Sequence, residues 1–195
     1  MAKVSRKKNL FDDMVRQQIV TTVLDLIDRD QPVTMDEIAA NCGVAKGTLY
    51  NYFKNKRELI NYVHHTIVNP KNNKHSAIFE SEKSPRDKLH DFVDATFGFQ
   101  KTYPLYFKFV QSQRTGYEAE REKFDLIIQP LIKICKDGIQ KGEFVDLDPF
   151  VMAEMIFGTV IGPMQSLEDR EEKTPNLERI KQDITYLLDR MIIKQ

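Results

Sequence analysis

The chain has 195 residues, 41% hydrophobic and 30% charged, and its 29 basic and 29 acidic side chains cancel to a formal net charge of zero. With a mean hydropathy of −0.46 and no apolar run near the ~20 residues a bilayer requires, a transmembrane helix is not expected; nor does the basic N-terminus lead into the apolar stretch of a secretion signal. Cys42 and Cys135 are its only cysteines, too few for a disulfide framework, so a reducing cytoplasm is the expected setting. The composition suits one or two compact domains with a real core.

Positive charge is local within this neutral chain. Residues 1–8 hold Lys3, Arg6, Lys7 and Lys8 without an acid. Over residues 9–29, Phe11, Val15, Ile19, Val23, Leu26 and Ile27 recur at three- and four-residue spacing and predict a first helix. Thr34 and Glu37 then have the spacing of a capping box. Behind them Ile38, Ala39 and Cys42 form the inner face of a short helix that Gly43 ends. A second short helix is predicted over Val44 to Asn51, with Val44 and Leu49 inward, Phe53 just beyond, and Lys46, Gly47, Thr48, Tyr50 and Asn51 outward. Asn55 and Glu58 repeat the cap spacing at the start of a fourth helix. Residues 44–57 contain Lys46, Lys54, Lys56 and Arg57 and no acid. Lys56 and Arg57 oppose the dipole of the helix they begin, a penalty that a bound phosphate would offset. A helix, a glycine turn and a short acid-free helix carrying cations, hydroxyls and tyrosines suit the DNA major groove.

From Val44 to Leu59, Val-Ala-Lys-Gly-Thr-Leu-Tyr-Asn-Tyr-Phe-Lys-Asn-Lys-Arg-Glu-Leu, the chain resembles the DNA-binding signature of the TetR (tetracycline repressor) transcriptional regulators. Ile38-Ala39 upstream and the total length fit as well. Beyond residue 65 the resemblance is one of size and helical layout. The resemblance implies that Lys46, Thr48, Tyr50 and Asn51 face base edges and nearby phosphates, that Gly47 permits close approach, and that Thr34, Tyr52 and Lys56 hold the DNA backbone. Leu49 and Phe53 would be core. Two departures stand out. Ala45 replaces a serine that often caps the recognition helix, a loss of about 1 kcal/mol. Gln31-Pro32-Val33 replaces a glycine loop.

The fourth helix uses Leu59, Ile60, Val63 and Ile67 and is expected to kink or stop at Asn69-Pro70. Asn72, Asn73, Lys74 and Ser76 are the expected break between domains. Three later helices are read from a capping residue followed by proline: Ser84-Pro85, Asp148-Pro149 and Thr174-Pro175. The remaining helices fall at about 85–101, 103–113, 117–141 with a kink at Pro130, 149–166 and 175–193. The expected fold is all-α with about nine helices. A helix-turn-helix DNA-binding domain of three helices occupies residues 1–60. A helical ligand-binding and dimerisation domain occupies residues 61–195.

The last two helices carry more apolar surface than one core face needs. Gly158 and Gly162 lie four apart and would allow close helix approach. Met155, Phe157, Gly158, Ile161, Gly162, Ile184, Leu188 and Met191 are therefore expected at a homodimer interface built as a four-helix bundle, as the family resemblance also implies. A two-fold dimer needs a palindromic operator. The middle of the chain is rich in aromatics, which are either core or the lining of a ligand cavity. The resemblance favours a cavity, with Phe97, Tyr103, Tyr106, Phe107, Phe109, Gln113, Arg114 and Tyr117 as its candidates.

His64, His65, His75 and His90 show no metal-ligand spacing, so no metal site is expected. No nucleophile triad or phosphate loop appears, so neither enzymatic activity nor a cofactor is expected. The expected function is a dimeric repressor on double-stranded DNA, released by an unidentified small apolar or amphipathic effector. The alternative is a TetR-like DNA-binding protein controlled by a protein partner.

Overall fold

The computed structural model describes residues 2–113, 117–166 and 176–194. These residues form an all-α protein of ten α-helices: α1 Ala2–Asp28, α2 Met35–Cys42, α3 Lys46–Tyr52, α4 Lys56–Phe79, α5 Pro85–Thr102, α6 Tyr106–Gln113, α7 Tyr117–Lys123, α8 Gln129–Gln140, α9 Pro149–Gln165 and α10 Leu177–Ile192. None of them is long and apolar enough to cross a membrane. The helix expected over 117–141 is divided by a π-helical turn, Phe124–Ile128, in which the Gln129 N–H reaches back to Phe124 O. A proline clashes with the carbonyl four residues before it, and the wider turn accommodates Pro130 at the start of α8.

Capping chemistry sets several helix starts. Ser84 Oγ accepts from Asp87 N at 3.1 Å, and Asp148 Oδ1 accepts from Phe150 N and Val151 N at 2.9 and 3.0 Å. The expected Thr174-Pro175 start lies outside the described residues; α10 is capped by Asn176, whose Oδ1 accepts from Arg179 N at 3.0 Å. At the N-terminus, α1 already includes positions 3–8, so the basic residues there extend a helix. Asp30 takes a left-handed φ of 53° in the turn after α1, a conformation aspartate tolerates better than most residues.

By contacts, the chain divides into Met1–Val68 with Lys108–Arg114, and Asn69–Phe107 with Thr115–Gln195. The expected boundary after residue 60 falls inside α4. That helix continues through Pro70, so the expected break at Asn72, Asn73, Lys74 and Ser76 is helix instead.

In the first unit Ile19, Val23, Leu26, Ile38, Leu49, Phe53, Leu59, Val63 and Phe109 are buried. In the second, Leu89, Phe92, Leu131, Cys135, Ile156, Val160, Ile184 and Leu188 belong to one core. Burial pushes the Cys135 thiol up to about 12, which keeps it protonated and unreactive.

Gly138 shows how tightly this core closes. Phe144 folds back over α8, and the flanking strand-like pairing holds it there: Val145 N donates to Ile192 O at 2.9 Å and Lys194 N to Glu143 O at 2.8 Å. A Cβ at Gly138 would stand 2.4 Å from Phe144 Cδ2. Gly138→Ala is expected to lower the melting temperature, because overpacking costs about 1–3 kcal/mol against a helix-propensity gain of about 1 kcal/mol. A melting temperature equal to or above the parent's would show that the ring gives way freely.

Candidate nucleic-acid interface

The interface is assembled from short-range rules. Thr34 Oγ1 accepts from Glu37 N at 3.1 Å and starts α2. Ile38 and Ala39 are buried, and the half-buried Cys42 donates its S–H to Thr22 Oγ1 at 3.2 Å, tying α2 to α1. Gly43 at φ 67° ends α2. Ala45 supplies no side-chain cap to α3, so this seven-residue helix depends on packing through Leu49, 0% exposed, and Phe53, 2% exposed. Asn55 Oδ1 accepts from Glu58 N at 2.9 Å, and Glu58 Oε2 reaches one residue behind the cap to accept from Lys54 N at 2.8 Å, so that the two bonds fix the entry to α4.

On this frame Thr34, Lys46, Gly47, Tyr50, Asn51 and Lys56 are exposed, while Thr48 and Tyr52 are half-buried. Tyr50 leaves 44% of its surface in solvent directly beside the fully buried Leu49. A Cβ at Gly47 would meet nothing within 4 Å. Lys54 and Arg57 are exposed nearby.

Two residues that the motif does not point to join this group. Asp36 of α2 meets Lys46 at 2.6 Å, and its hydrogen bond and charge raise the lysine pKa. The acid-free stretch of sequence is thus not acid-free in space. Arg16 of α1 places its guanidinium 5.6 Å from the Tyr52 ring centre, 5.4 Å from Phe53 and 5.1 Å from Tyr62. Neither was legible, because each partner lies in a different helix. Asp36→Asn is expected to tighten operator binding about two- to fivefold, since exposed pairs contribute little and Lys46 would no longer exchange a carboxylate for a phosphate. Binding isotherms at several salt concentrations would reveal this; unchanged affinity would mean that Lys46 does not meet the DNA.

The aromatic group expected to line a ligand cavity is differently placed. Phe97 and Tyr106 are buried, and Tyr103 and Phe107 half-buried, within the second unit. There Phe99 packs on Tyr103 and Tyr106 at ring separations of 5.2 and 4.9 Å. Phe109, 0% exposed, and Gln113 belong to the first unit. Arg114 and the Tyr117 side chain lie outside the described residues. A cavity of about 450 Å³ opens elsewhere in the second unit, where Phe79, Lys88, Leu126, Pro130, Lys133 and Ile134 are among its lining residues. Among the described residues, none of the expected candidates lines it. Ring-rich helices read the same in a sequence whether their rings pack on each other or enclose a void.

The expected dimer residues are also sorted by the fold. Ile161, Ile184 and Leu188 are 5%, 4% and 1% exposed and lie in the chain's own core. Phe157 is half-buried against that core, with Lys123 Nζ 5.6 Å over its ring. Met155 and Met191 are exposed, with Phe150, Val151, Tyr186 and Leu187. Gly158 is exposed and Gly162 half-buried, with nothing of the chain's other elements within 4 Å of a Cβ at either.

Residues 31–63 match the model of the bacterial regulatory proteins of the tetR family. Over 170 residues the chain is 28% identical to YhgD, an uncharacterised HTH-type transcriptional regulator of Bacillus subtilis (strain 168), covering 83% of this chain and 84% of that one. A solved structure from Clostridium perfringens, provisionally named a fatty acid metabolism regulator, is similar with a TM-score of 0.74 at 28% identity, over 91% of this chain and 100% of that one. The transcriptional regulator FadR from Bacillus subtilis, solved in complex with stearoyl-CoA, has a TM-score of 0.73 at 22% identity, over 88% of this chain and 96% of that one. With its helix-turn-helix and all-α fold, the chain is similar to the TetR family of DNA-binding transcriptional regulators along most of its length, and residues 31–63 match that family's DNA-binding region.

Proposed function

We propose that the chain is a homodimeric repressor that reads a palindromic operator with α3 and is released by a small apolar or amphipathic effector. The observation that carries the DNA half is the outer face of α3, where Tyr50 stands 44% exposed beside a fully buried Leu49. A large side chain held outward by a rigid helix is suited to base edges, while Thr34, Tyr52 and Lys56 serve register on the phosphates. In this reading the DNA-binding domain ends near residue 60 and the remainder of the chain serves dimerisation and the effector.

Dimerisation is supported by the exposed stripe Val151, Met155 and Gly158 on α9, continued by the half-buried Gly162, with Leu187 and Met191 exposed on α10. The opposite face of α9, Met152, Ile156 and Val160, is already buried. An apolar helix with one face in the core and another in solvent fits a partner surface, and a second copy supplies two-fold symmetry. The effector reading draws on the cavity lined by Phe79, Leu126 and Ile134 together with Lys88, Lys133, Glu80, Asp125 and Asp137, a mixed apolar and charged wall that suits an amphipathic molecule. FadR, with its stearoyl-CoA, makes fatty acids and their CoA esters the first compounds to try. Control by a protein partner is a second reading, supported by the packing of Phe97, Tyr106 and Phe109 into cores where a ligand cavity was expected.

Fluorescence anisotropy against duplex DNA from upstream of the gene, with random duplex as competitor, tests the DNA half. Tight binding that survives competitor and weakens steeply with salt supports it. Equal, weak binding to both duplexes overturns specific recognition of that DNA. Release of the specific probe by a fatty acid or acyl-CoA would support the small-molecule reading over the protein-partner reading.

A further inference from the structure

We infer that Arg16 is a positioning residue for DNA recognition, one that sets the orientation of α3 through a cage of aromatic rings. The inference rests on the assignment of α3 to the operator. An arginine guanidinium is planar, delocalised and weakly hydrated, so it can stack on several rings at once. Here one guanidinium serves Tyr52 at the last turn of α3, Phe53 at its C-cap and Tyr62 on α4. Phe53 and Tyr62 also pack on each other, with ring centres 5.3 Å apart. A single cation thereby joins α1, α3 and α4.

The need for such a device follows from how α3 is held. It is seven residues long and has no side-chain N-cap, and helices of that length have little stability of their own. Leu49 anchors its middle and Phe53 its C-terminal end, but two anchors on one face hold roll about the helix axis only weakly. Each residue advances about 100° around that axis, so a small roll would change how deeply Tyr50 and Asn51 enter a groove. Tyr52 is the point where the roll is stopped. Phe53 is 2% exposed and fixes depth, whereas the half-buried Tyr52 ring against Arg16 fixes angle.

Arg16→Met keeps most of the side-chain volume and removes the cation. Anisotropy with a salt titration and thermal unfolding would be measured for the full chain, for Arg16→Met, for Arg16→Lys and for Tyr50→Ala. The expected result for Arg16→Met is an operator Kd about five- to tenfold weaker, a smaller preference over random duplex, the parent's slope of log Kd against log salt, and a melting temperature close to the parent's. Arg16→Lys should recover part of the affinity, since lysine keeps the charge but not the plane. An unchanged Kd for Arg16→Met overturns the inference. A salt slope shallower by roughly one per chain would place Arg16 directly on a phosphate and overturn it as well. So would a lowered melting temperature with full affinity restored on cooling, which is the mark of a merely structural role. If Tyr50→Ala binds the operator as the parent does, the assignment of α3 itself fails. If Tyr50→Ala loses binding and Arg16→Met does not, only the positioning role fails.

Discussion

Leu49→Ala is expected to unfold the DNA-binding unit, whereas Tyr50→Ala, one residue on, leaves it folded and removes operator binding. Leu49 is 0% exposed and is the buried residue of α3. Truncating a fully buried leucine costs about 2–5 kcal/mol, a large part of the about 5–15 kcal/mol that holds a whole domain. This helix has no reserve, because it lacks an N-cap and is too short to persist alone. The melting temperature of the unit should fall by more than about 10 °C. Tyr50 touches solvent over 44% of its surface, so its loss should move the melting temperature by no more than about 2 °C. Operator affinity should drop at least about tenfold, as for loss of a base contact. Circular dichroism and anisotropy on the two variants separate fold from recognition. A Tyr50→Ala variant with parental affinity would remove α3 from the groove, and a Leu49→Ala variant with parental melting would remove Leu49 from its structural role.

What the sequence made legible follows the range of the underlying interactions. Thr34, Gly43, Asn55, Ser84 and Asp148 act on residues within a few positions of themselves, and each stands at the helix terminus expected of it. The all-α architecture is equally local in origin. Rules of the same range leave alternatives open where a longer element decides: a proline allows a helix to run on or to stop, and α4 continues through Pro70, since helix on both sides tolerates one missing N–H. Contacts between helices were not legible. Asp36 reaches Lys46 and Arg16 reaches Tyr62 only once the separate helices are packed, so a count of charges along residues 44–57 cannot register either. Helix α9 illustrates the same limit. It is apolar on most sides, and only the fold decides that Ile161 is core while Met155 and Val151 face solvent.

That sorting of faces fixes how dimerisation is to be tested. Phe157 is unsuitable, because it packs on the core and a charge there would disturb the fold. Met155→Glu and Leu187→Glu are suitable, since their side chains are 39% and 48% exposed in the single chain. In a dry interface each glutamate would be an unpaired buried charge, which costs several kcal/mol, and two-fold symmetry places each substitution twice in the dimer. Every ~1.4 kcal/mol is tenfold in the dissociation constant, so the double variant should sediment as a single chain of 22.8 kDa. Its helical content and melting should remain those of a folded chain. Operator affinity should fall far more than α3 alone explains, because two tethered recognition helices bind with an effective concentration that separate monomers lack. Ile184→Glu, placed in the core, should instead unfold the second unit. A double variant that still sediments at twice the chain mass would place the dimer contact elsewhere. A monomeric variant with parental operator affinity would separate dimerisation from DNA recognition and undo the palindromic reading.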